Sequence, residues 1–164
     1  MIEIDNFNVP TSWDEVTLEK YTQMFGGLLE DDNAETKTLK IVANILDISI
    51  EEALDLPAQI VGQVVGALKF ISEPITDEQQ ATITLGHKTY KVLKLDEMSY
   101  RQYSNAEAEA KEPNNLVKFV ANLLVDESGK YDVEDVSIIG GMLLKKPIKD
   151  VMCLVNYFSG LKNV

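Results

Sequence analysis

The most informative pattern of apolar and polar positions along this chain is a heptapeptide that occurs twice. Residues 40–46 read Lys-Ile-Val-Ala-Asn-Ile-Leu, and residues 118–124 read Lys-Phe-Val-Ala-Asn-Leu-Leu. The Lys, the Val-Ala-Asn triplet and the final Leu are identical, and the remaining positions exchange one apolar residue for another. Apolar residues recur three and four positions apart in both copies, which predicts an amphipathic helix at each.

The sequence around the two copies repeats as well. Glu15-Val-Thr-Leu-Glu-Lys-Tyr21 precedes the first copy, and Glu97-Met-Ser-Tyr-Arg-Gln-Tyr103 precedes the second. An amphipathic segment, then a proline (Pro57 or Pro147) and an apolar helix follow each copy. This agreement predicts an internal duplication of a helical unit of roughly 75 residues. Chance similarity between amphipathic helices is the alternative.

Four helices are expected in the first unit, beginning near residues 17, 34, 49 and 57. The second of them should run from Ala34 to Leu46. Ser49 and Glu52 have the spacing of a capping box, and Pro57 suits a first helical position. Gly62 and Gly66 lie on one face of the fourth helix, where we expect them to permit close packing of a neighbour.

The second unit should open at Asp96 and Glu97 with a helix that ends at Pro113. The core helix should follow at 116–124, and a third helix should include Gly140-Gly141. A last helix should run from Pro147 to a stop at Gly160.

Two regions alternate with the period of a β-strand. Residues 1–9 place Ile2 and Ile4 on one face, which predicts a half-buried strand ended by Pro10. Residues 81–85 and 88–93 flank Gly86-His87, which predicts a β-hairpin. A lone hairpin is marginally stable in water, so it should pack on helices or pair with the N-terminal strand.

These patterns predict a mainly α (α+β) fold, built from two duplicated helical units with a small β element of hairpin and N-terminal strand. Residues 1–73 would hold the strand and the first helical unit, 74–95 a linker and the hairpin, and 96–164 the second helical unit. At this length we expect one compact domain overall.

The composition of the chain limits the classes of function that are compatible with it. The chain has 27 acidic and 15 basic residues, a net charge of −12, which argues against binding nucleic acid or anionic membranes. No apolar run approaches the ~20 residues of a membrane span, and the N-terminus lacks the pattern of a signal peptide. A cytoplasmic protein is therefore expected. The charge favours solubility and a basic partner.

The sequence shows no catalytic, cofactor-binding or metal site. Cys153 is the single cysteine and lies among apolar residues, which favours a buried structural thiol. His87, the single histidine, falls at the predicted hairpin tip. The glycine pairs lack the pattern of a phosphate-binding loop, and the acidic segments lack the ligand spacing of a calcium loop. We expect no enzyme and no cofactor.

Aromatic residues near the opening of each unit are the better candidates for a site. They are Trp13, Tyr21, Tyr100 and Tyr103. Tryptophan and tyrosine are frequent anchors of protein–protein interfaces, so these residues, if exposed, would bind a partner. The alternative is that they cap the core of each unit.

The opening Val9-Pro-Thr-Ser-Trp-Asp-Glu-Val-Thr-Leu-Glu-Lys-Tyr21 resembles the start of a group of small proteins from tailed bacteriophages. Lys88-Thr-Tyr90, Tyr131-Asp-Val-Glu-Asp-Val136, Pro147-Ile148 and Asn156-Tyr-Phe158 resemble the same group, so the similarity covers nearly the whole chain. Its motifs are packing and capping signals.

Some members of that group are thought to be tail assembly chaperones, which bind the tape-measure protein and keep it soluble while the tail tube polymerises. The resemblance implies no catalytic residue. It implies a protein in the cytoplasm of the infected host. For the mechanism, the resemblance, the charge and the lack of a catalytic site together suggest the hypothesis that an apolar groove between the units takes a partner helix. The alternatives are a structural component of the virion, such as a ring or connector, and, less favoured, a host-defence inhibitor or small enzyme. A homo-oligomer is compatible with the same apolar faces.

Overall fold

The computed structural model describes residues 1–111 and 115–163, and these form eight α-helices and five short β-strands. The helices are α1 (Leu18–Met24), α2 (Ala34–Leu46), α3 (Ile50–Leu54), α4 (Ala58–Ala67), α5 (Tyr100–Ala110), α6 (Leu116–Leu123), α7 (Val136–Leu143) and α8 (Ile148–Lys162). The strands are β1 (Ile2–Ile4), β2 (Phe7–Val9), β3 (Thr82–Leu85), β4 (Lys88–Val92) and β5 (Leu124–Val125). The prediction of a mainly α fold with small β elements is confirmed. Pro113, predicted to end a helix, lies outside the described residues.

The chain divides into two compact units, Met1–Pro74 and Ile75–Val164. Each unit begins with a β-hairpin and continues with four α-helices. The central hairpin, which the sequence grouped with a linker, is part of the second unit. In each unit the second helix, α2 or α6, packs against the other three helices of that unit.

The residues that precede corresponding helices are also similar in the two units. Thr17 caps α1 and Ser99 caps α5, and each side chain accepts a hydrogen bond from the backbone N–H three residues later. Pro57 precedes α4 with φ −55° and ψ 136°, and Pro147 precedes α8 with φ −54° and ψ 138°. The recurrence of element order and of these caps supports the duplication that the sequence predicts.

The N-terminal segment differs from the single strand that was predicted. It folds into the two-stranded hairpin β1–β2, because Asp5 and Asn6 adopt positive φ angles of 48° and 68° and reverse the chain. Asp and Asn tolerate this conformation, which a two-residue hairpin turn requires at both central positions. Only Ile4 of the predicted apolar face is buried, and Ile2 is 46% exposed.

The helices of the first unit follow their capping signals closely. The predicted limits of α2, Ala34 to Leu46, are confirmed. The predicted capping box is also confirmed, since Ser49 and Glu52 each accept the other's backbone N–H. Pro57 lies one position before α4 rather than at its first residue. Gly62 and Gly66 are exposed, and a β-carbon on either would have no atom within 4 Å, so the predicted close packing at these glycines is wrong.

The central hairpin is confirmed and gains a third strand. Leu85 pairs with Lys88 around the Gly86-His87 turn, where Gly86 has a φ of 62°. β4 also pairs with β5, because the chain leaves α6 at Leu123 and becomes extended. Leu124 was predicted as the end of the helix, and this is corrected. The hairpin was expected to pack on helices or to pair with the N-terminal strand. Its strand β3 packs on α7 and α8, and its additional strand partner is β5.

In the second unit, the start of α5 and the end of α8 differ from the predicted limits. α5 begins at Tyr100, after a turn, rather than at Asp96. α8 continues through Gly160, which does not adopt a positive φ, to Lys162. A 3₁₀ turn, Val133–Asp135, precedes α7.

Each unit has its own buried side chains. In the first unit these include Val9, Val16, Leu18, Met24, Val42 and Val64, and in the second Leu85, Val120, Leu123, Leu143, Ile148, Leu154 and Phe158.

Candidate protein-binding groove

Trp13 was a candidate binding anchor with a role in capping the core as the alternative, and the structure shows that it is a core residue. Its side chain is 6% exposed, and its Nε1–H donates to the Glu73 carbonyl over 3.0 Å. Its ring contacts Phe70 edge to face at a centroid distance of 5.0 Å. A buried indole with a satisfied N–H is typical of packing, as the alternative interpretation held.

The three tyrosines have different environments. Tyr21 is half-buried between Trp13 and Phe25, with ring centroids 6.0 and 5.0 Å away, and this burial raises the pKa of its hydroxyl. Tyr103 is half-buried, with its ring centroid 6.5 Å from that of Phe158. Tyr100 alone is freely exposed, at 83%. The structure therefore brings Trp13 and Tyr21 together in the first unit, and in the second it places Tyr103 beside Phe158 and leaves Tyr100 exposed.

A groove in the second unit is a more substantial candidate. It lies between α5, α6 and α7, has a volume of about 670 Å³, and is called the α5–α7 groove below. Its apolar lining consists of Ala108, Val117, Val133, Val136, Gly140, Gly141 and Leu144. Its polar lining consists of Asn105, Glu109, Lys118, Asn122 and Ser137. A mostly apolar groove with a few polar groups is typical of a binding site.

Two glycines of α7 shape this groove. A β-carbon on Gly140 would lie 3.2 Å from Cγ1 of Val117, so the glycine allows α7 to approach α6 closely. Gly141 has no atom within 4 Å of its β-carbon position and leaves space in the groove. The lining residues Val136 and Gly140 are four apart and lie on one face of α7, and Leu144, the residue that caps its C-terminal end, continues the same spacing.

A hydrogen-bonded network fixes one end of the groove. The Tyr131 hydroxyl donates to Oδ1 of Asn122 and accepts from Nδ2 of Asn105. Nδ2 of Asn122 donates to the Lys118 carbonyl over 2.8 Å. Nε2 of the buried Gln102 donates to the Asn122 carbonyl over 3.1 Å. Because both Asn105 and Asn122 are held by partners, this wall of the groove is preorganised.

The described lining of the groove includes two charged side chains, Glu109 and Lys118, which differ in their hydrogen-bond partners. The Glu109 carboxylate accepts a hydrogen bond from Nδ2 of Asn115 over 2.8 Å. Lys118 is exposed and forms no ion pair within residues 1–111 and 115–163. The lining residue Val133 is flanked in the sequence by three acidic residues, Asp132, Glu134 and Asp135. Among the described lining residues, Lys118 is therefore the one basic side chain, and it has no ion-pair partner within that part of the chain.

A second, smaller groove lies in the first unit. It has a volume of about 310 Å³ between α2, α4 and the 3₁₀ turn Leu68–Ser72. Its lining is Thr38, Ile41, Val42, Val65, Leu68, Lys69, Ile71 and Ser72. Its volume is less than half that of the α5–α7 groove, so it would accommodate less apolar surface.

Cys153 and His87, the single cysteine and the single histidine of the sequence, lie in different environments. Cys153 is 4% exposed, and burial raises the pKa of its thiol, which disfavours the reactive thiolate. His87 is exposed in the hairpin turn. Over the described residues, no three His, Cys, Asp or Glu side chains are placed to hold a metal ion. None of the described helices is both long enough and apolar enough to cross a membrane.

Sequence reasoning missed the α5–α7 groove. The available signal was Gly140-Gly141 inside an otherwise apolar helix, because glycine is costly in a helix interior unless packing or a site requires it. Comparisons with protein families, with curated proteins and with solved structures found no match. The groove and the sequence resemblance are therefore the basis for a functional proposal.

Proposed function

We propose that this protein is a non-enzymatic tail assembly chaperone of a tailed bacteriophage. It would bind a tail protein, such as the tape-measure protein, in the cytoplasm of the infected host and keep it soluble until the tail tube assembles. The observation that supports this function best is the α5–α7 groove, whose 670 Å³ of mainly apolar space is open to a partner. The resemblance of the sequence to a group of phage proteins supports the identity of the partner.

The groove suits a segment of a partner chain. Helix-in-groove recognition places apolar side chains, three and four positions apart, in a trough between helices. α5 and α7 each present lining residues at helical spacing, so the trough has this form. The lining residue Val133 is 55% exposed, so part of this apolar surface is accessible to a partner. The sequence placed the partner groove between the units; the α5–α7 groove lies within the second unit.

The net charge supports the same role in a different way. A charge of −12 keeps the complex soluble and makes copies of the chain repel each other. It also accelerates the encounter with basic segments of a partner, because opposite net charges steer association. A holding function requires solubility and fast capture.

The function is tested by affinity purification from infected cells. We expect a tail protein to co-purify with the wild-type chain and to be lost with Gly141→Gln, which places a longer side chain in the groove at a position where the β-carbon itself has open space. Gly62→Gln is the matched control, because Gly62 is also an exposed helical glycine with open space around it. Capture that is equal for both variants, or no tail protein at all, would count against the proposal.

Mass spectrometry of purified virions separates the chaperone from a structural component. A chaperone is absent from mature particles, whereas a ring or connector protein is present at a fixed copy number. Presence at fixed stoichiometry would replace the chaperone with the virion component, and the α5–α7 groove would then be an assembly interface.

A further inference from the structure

Residues 75–80, called the strap below, lie along α8 and lead from the end of the first unit towards β3. Nδ2 of Asn156 in α8 donates to the carbonyls of Thr76 and Glu78 over 3.0 and 3.1 Å. An asparagine amide has two N–H donors, and groups two positions apart point the same way in an extended chain. One side chain therefore fastens two backbone groups of the strap to α8.

Two further contacts of the strap lie on the same face of α8. The Gln80 N–H donates to the Cys153 carbonyl over 3.1 Å. A β-carbon on Gly160 would lie 3.3 Å from Nε2 of Gln79, so the glycine lets this amide approach the helix closely. Cys153, Asn156 and Gly160 are three and four positions apart, which places them on one face of α8. The strap therefore follows this face for about two helical turns.

This face of α8 is not the face that packs in the core. At about 100° per residue, Cys153 lies on roughly the opposite side of the helix from the buried Val151 and Phe158. Cys153 is nevertheless only 4% exposed. Burial raises the pKa of its thiol, and the negative charge of Glu78 in the strap adds to this shift. The strap thus lies close to the thiol and contributes to its cover.

The strap has the features of a segment that opens easily. None of the side chains of residues 75–80 is buried, and these residues form no helix or strand. The contacts with α8 described above are mainly hydrogen bonds to backbone groups. Segments with few buried apolar contacts open more readily than the core of a protein. The strap should therefore be less stable than α8, which buries Val151, Leu154 and Phe158.

We propose that Asn156 is a clasp, and that the strap opens from α8 while the second unit stays folded. Opening exchanges the hydrogen bonds of Asn156 and of the Gln80 N–H for hydrogen bonds to water, and it leaves the core packing of α8 in place. The closed strap is a short connection between the units, and the open strap is a long one.

The anchors on either side define the two lengths of the connection. Trp13 of the first unit holds the Glu73 carbonyl, and Asn156 holds the Thr76 carbonyl, so residues 74–75 lie between the anchors when the strap is closed. When it is open, residues 74–80 form the connection. The added residues extend its reach by up to about 17 Å, at about 3.4 Å per residue.

The length of the connection matters for a partner that contacts both units. The two grooves described above lie in different units, so this reach limits how far apart two segments of one bound partner can lie. That consequence rests on the proposed function, whereas the opening of the strap does not.

The thiol provides the first test, because Cys153 is the single cysteine of the sequence. Labelling with a maleimide in native buffer reports how often the strap is open. Asn156→Ala should accelerate labelling by about 10- to 30-fold, as expected for two lost hydrogen bonds, with an unchanged circular dichroism spectrum. Alanine is a better helix former than asparagine, so this variant should keep α8 folded.

Tyr131→Phe is the matched control. It also removes two hydrogen bonds from the second unit, those of the Tyr131 hydroxyl with Asn122 and Asn105, but it leaves the contacts of the strap intact. Its labelling rate should therefore stay close to that of the wild type. Glutamyl endopeptidase supplies a second readout, because cleavage after Glu78 should be faster in Asn156→Ala and unchanged in Tyr131→Phe.

Hydrogen exchange followed by NMR tests the opening in the wild type itself. The Gln80 amide should exchange faster than the amides of Leu154 and Phe158. Its exchange rate should also be insensitive to low concentrations of urea, as is typical of a local opening that exposes little surface.

Each result decides the inference. Equal labelling of the wild type and Asn156→Ala, or equal acceleration by Tyr131→Phe, would overturn the clasp. Faster labelling without faster cleavage would place the opening in α8 rather than in the strap. A Gln80 amide that exchanges no faster than that of Leu154 would mean that the strap opens only when the second unit unfolds. None of these measurements involves a tail protein, so failure of the proposed function would leave them unaffected.

Discussion

At the scale of single residues, the neighbouring glycines of α7 have different surroundings and should respond differently to substitution. Gly141 has open space around its β-carbon position, so Gly141→Ala should raise the free energy of unfolding by about 0.5–1 kcal/mol through helix propensity. Gly140→Ala should gain less or destabilise, because its β-carbon would lie 3.2 Å from Val117. Urea denaturation of both variants measures the difference. Equal gains would contradict the close contact of α7 with α6.

The Asp32–Lys40 pair should make the first unit's loop sensitive to acid. Hydrogen bonds from Lys40 and from the Leu29 backbone N–H lower the pKa of the Asp32 carboxyl. A group whose folded pKa lies below its unfolded value stabilises the protein above the unfolded value, near pH 4, and this contribution is lost as pH falls through the folded pKa.

We therefore expect the stability difference between the wild type and Asp32→Asn to be present at pH 6 and to shrink as the pH falls below about 4. Urea unfolding at pH 6 and pH 3 tests this, and taking the difference between the two proteins cancels the titration of the other carboxylates. A difference that is the same at both values would mean that the ion pair does not stabilise the fold.

At the scale of elements, Trp13 connects the turn before α1 to the chain after α4. Trp13→Phe keeps an aromatic ring but leaves the Glu73 carbonyl without its donor, so the free energy of unfolding should fall by about 1–3 kcal/mol. Tyr100→Phe is the control, since Tyr100 is 83% exposed and its change should stay within about 0.5 kcal/mol. Thermal unfolding followed by circular dichroism measures both. A similar effect of the two substitutions would contradict the core role of Trp13.

Elements with a strong local signal were predicted well from the sequence. α2 has Asn33 as its cap and ends at Asp47 in the left-handed conformation, so its limits could be placed correctly. The Gly86-His87 hairpin has alternating residues on both sides of a glycine turn. The N-terminal hairpin was missed because Asp5-Asn6 is a weaker turn signal than a pair that contains glycine.

Features that depend on tertiary contacts were not predictable in the same way. Trp13 is buried by contacts with the Glu73 carbonyl and the Phe70 ring, which lie 60 and 57 positions away in the sequence. Leu46 and Leu124 occupy the same position of the repeat. Leu46 is the last residue of α2, whereas Leu124 is extended in β5 because it pairs with β4. The α5–α7 groove depends on the close approach of Gly140 in α7 to Val117 in α6. The periodicity of one helix cannot reveal a space that is enclosed by three helices.

At the scale of the whole molecule, the net charge of −12 opposes the folded state, because folding brings like charges closer together. Salt screens this repulsion over a distance of about 10 Å at 0.1 M ionic strength. It also weakens exposed ion pairs such as Lys162–Glu107, but such pairs contribute little individually. The dispersed repulsion should therefore dominate the response to salt.

We expect the melting temperature at pH 7 to rise between 20 and 200 mM NaCl. Differential scanning calorimetry measures it, and the double charge reversal Glu51→Lys and Asp55→Lys, at two exposed positions, supplies the control. This variant carries a net charge of −8, so its melting temperature should be higher at low salt and should rise less with added NaCl. A wild-type melting temperature that falls with salt would show that specific ion pairs, rather than net repulsion, dominate the electrostatics of the fold. The acidic surface would then have to be explained by solubility and partner capture alone, with no electrostatic cost to stability.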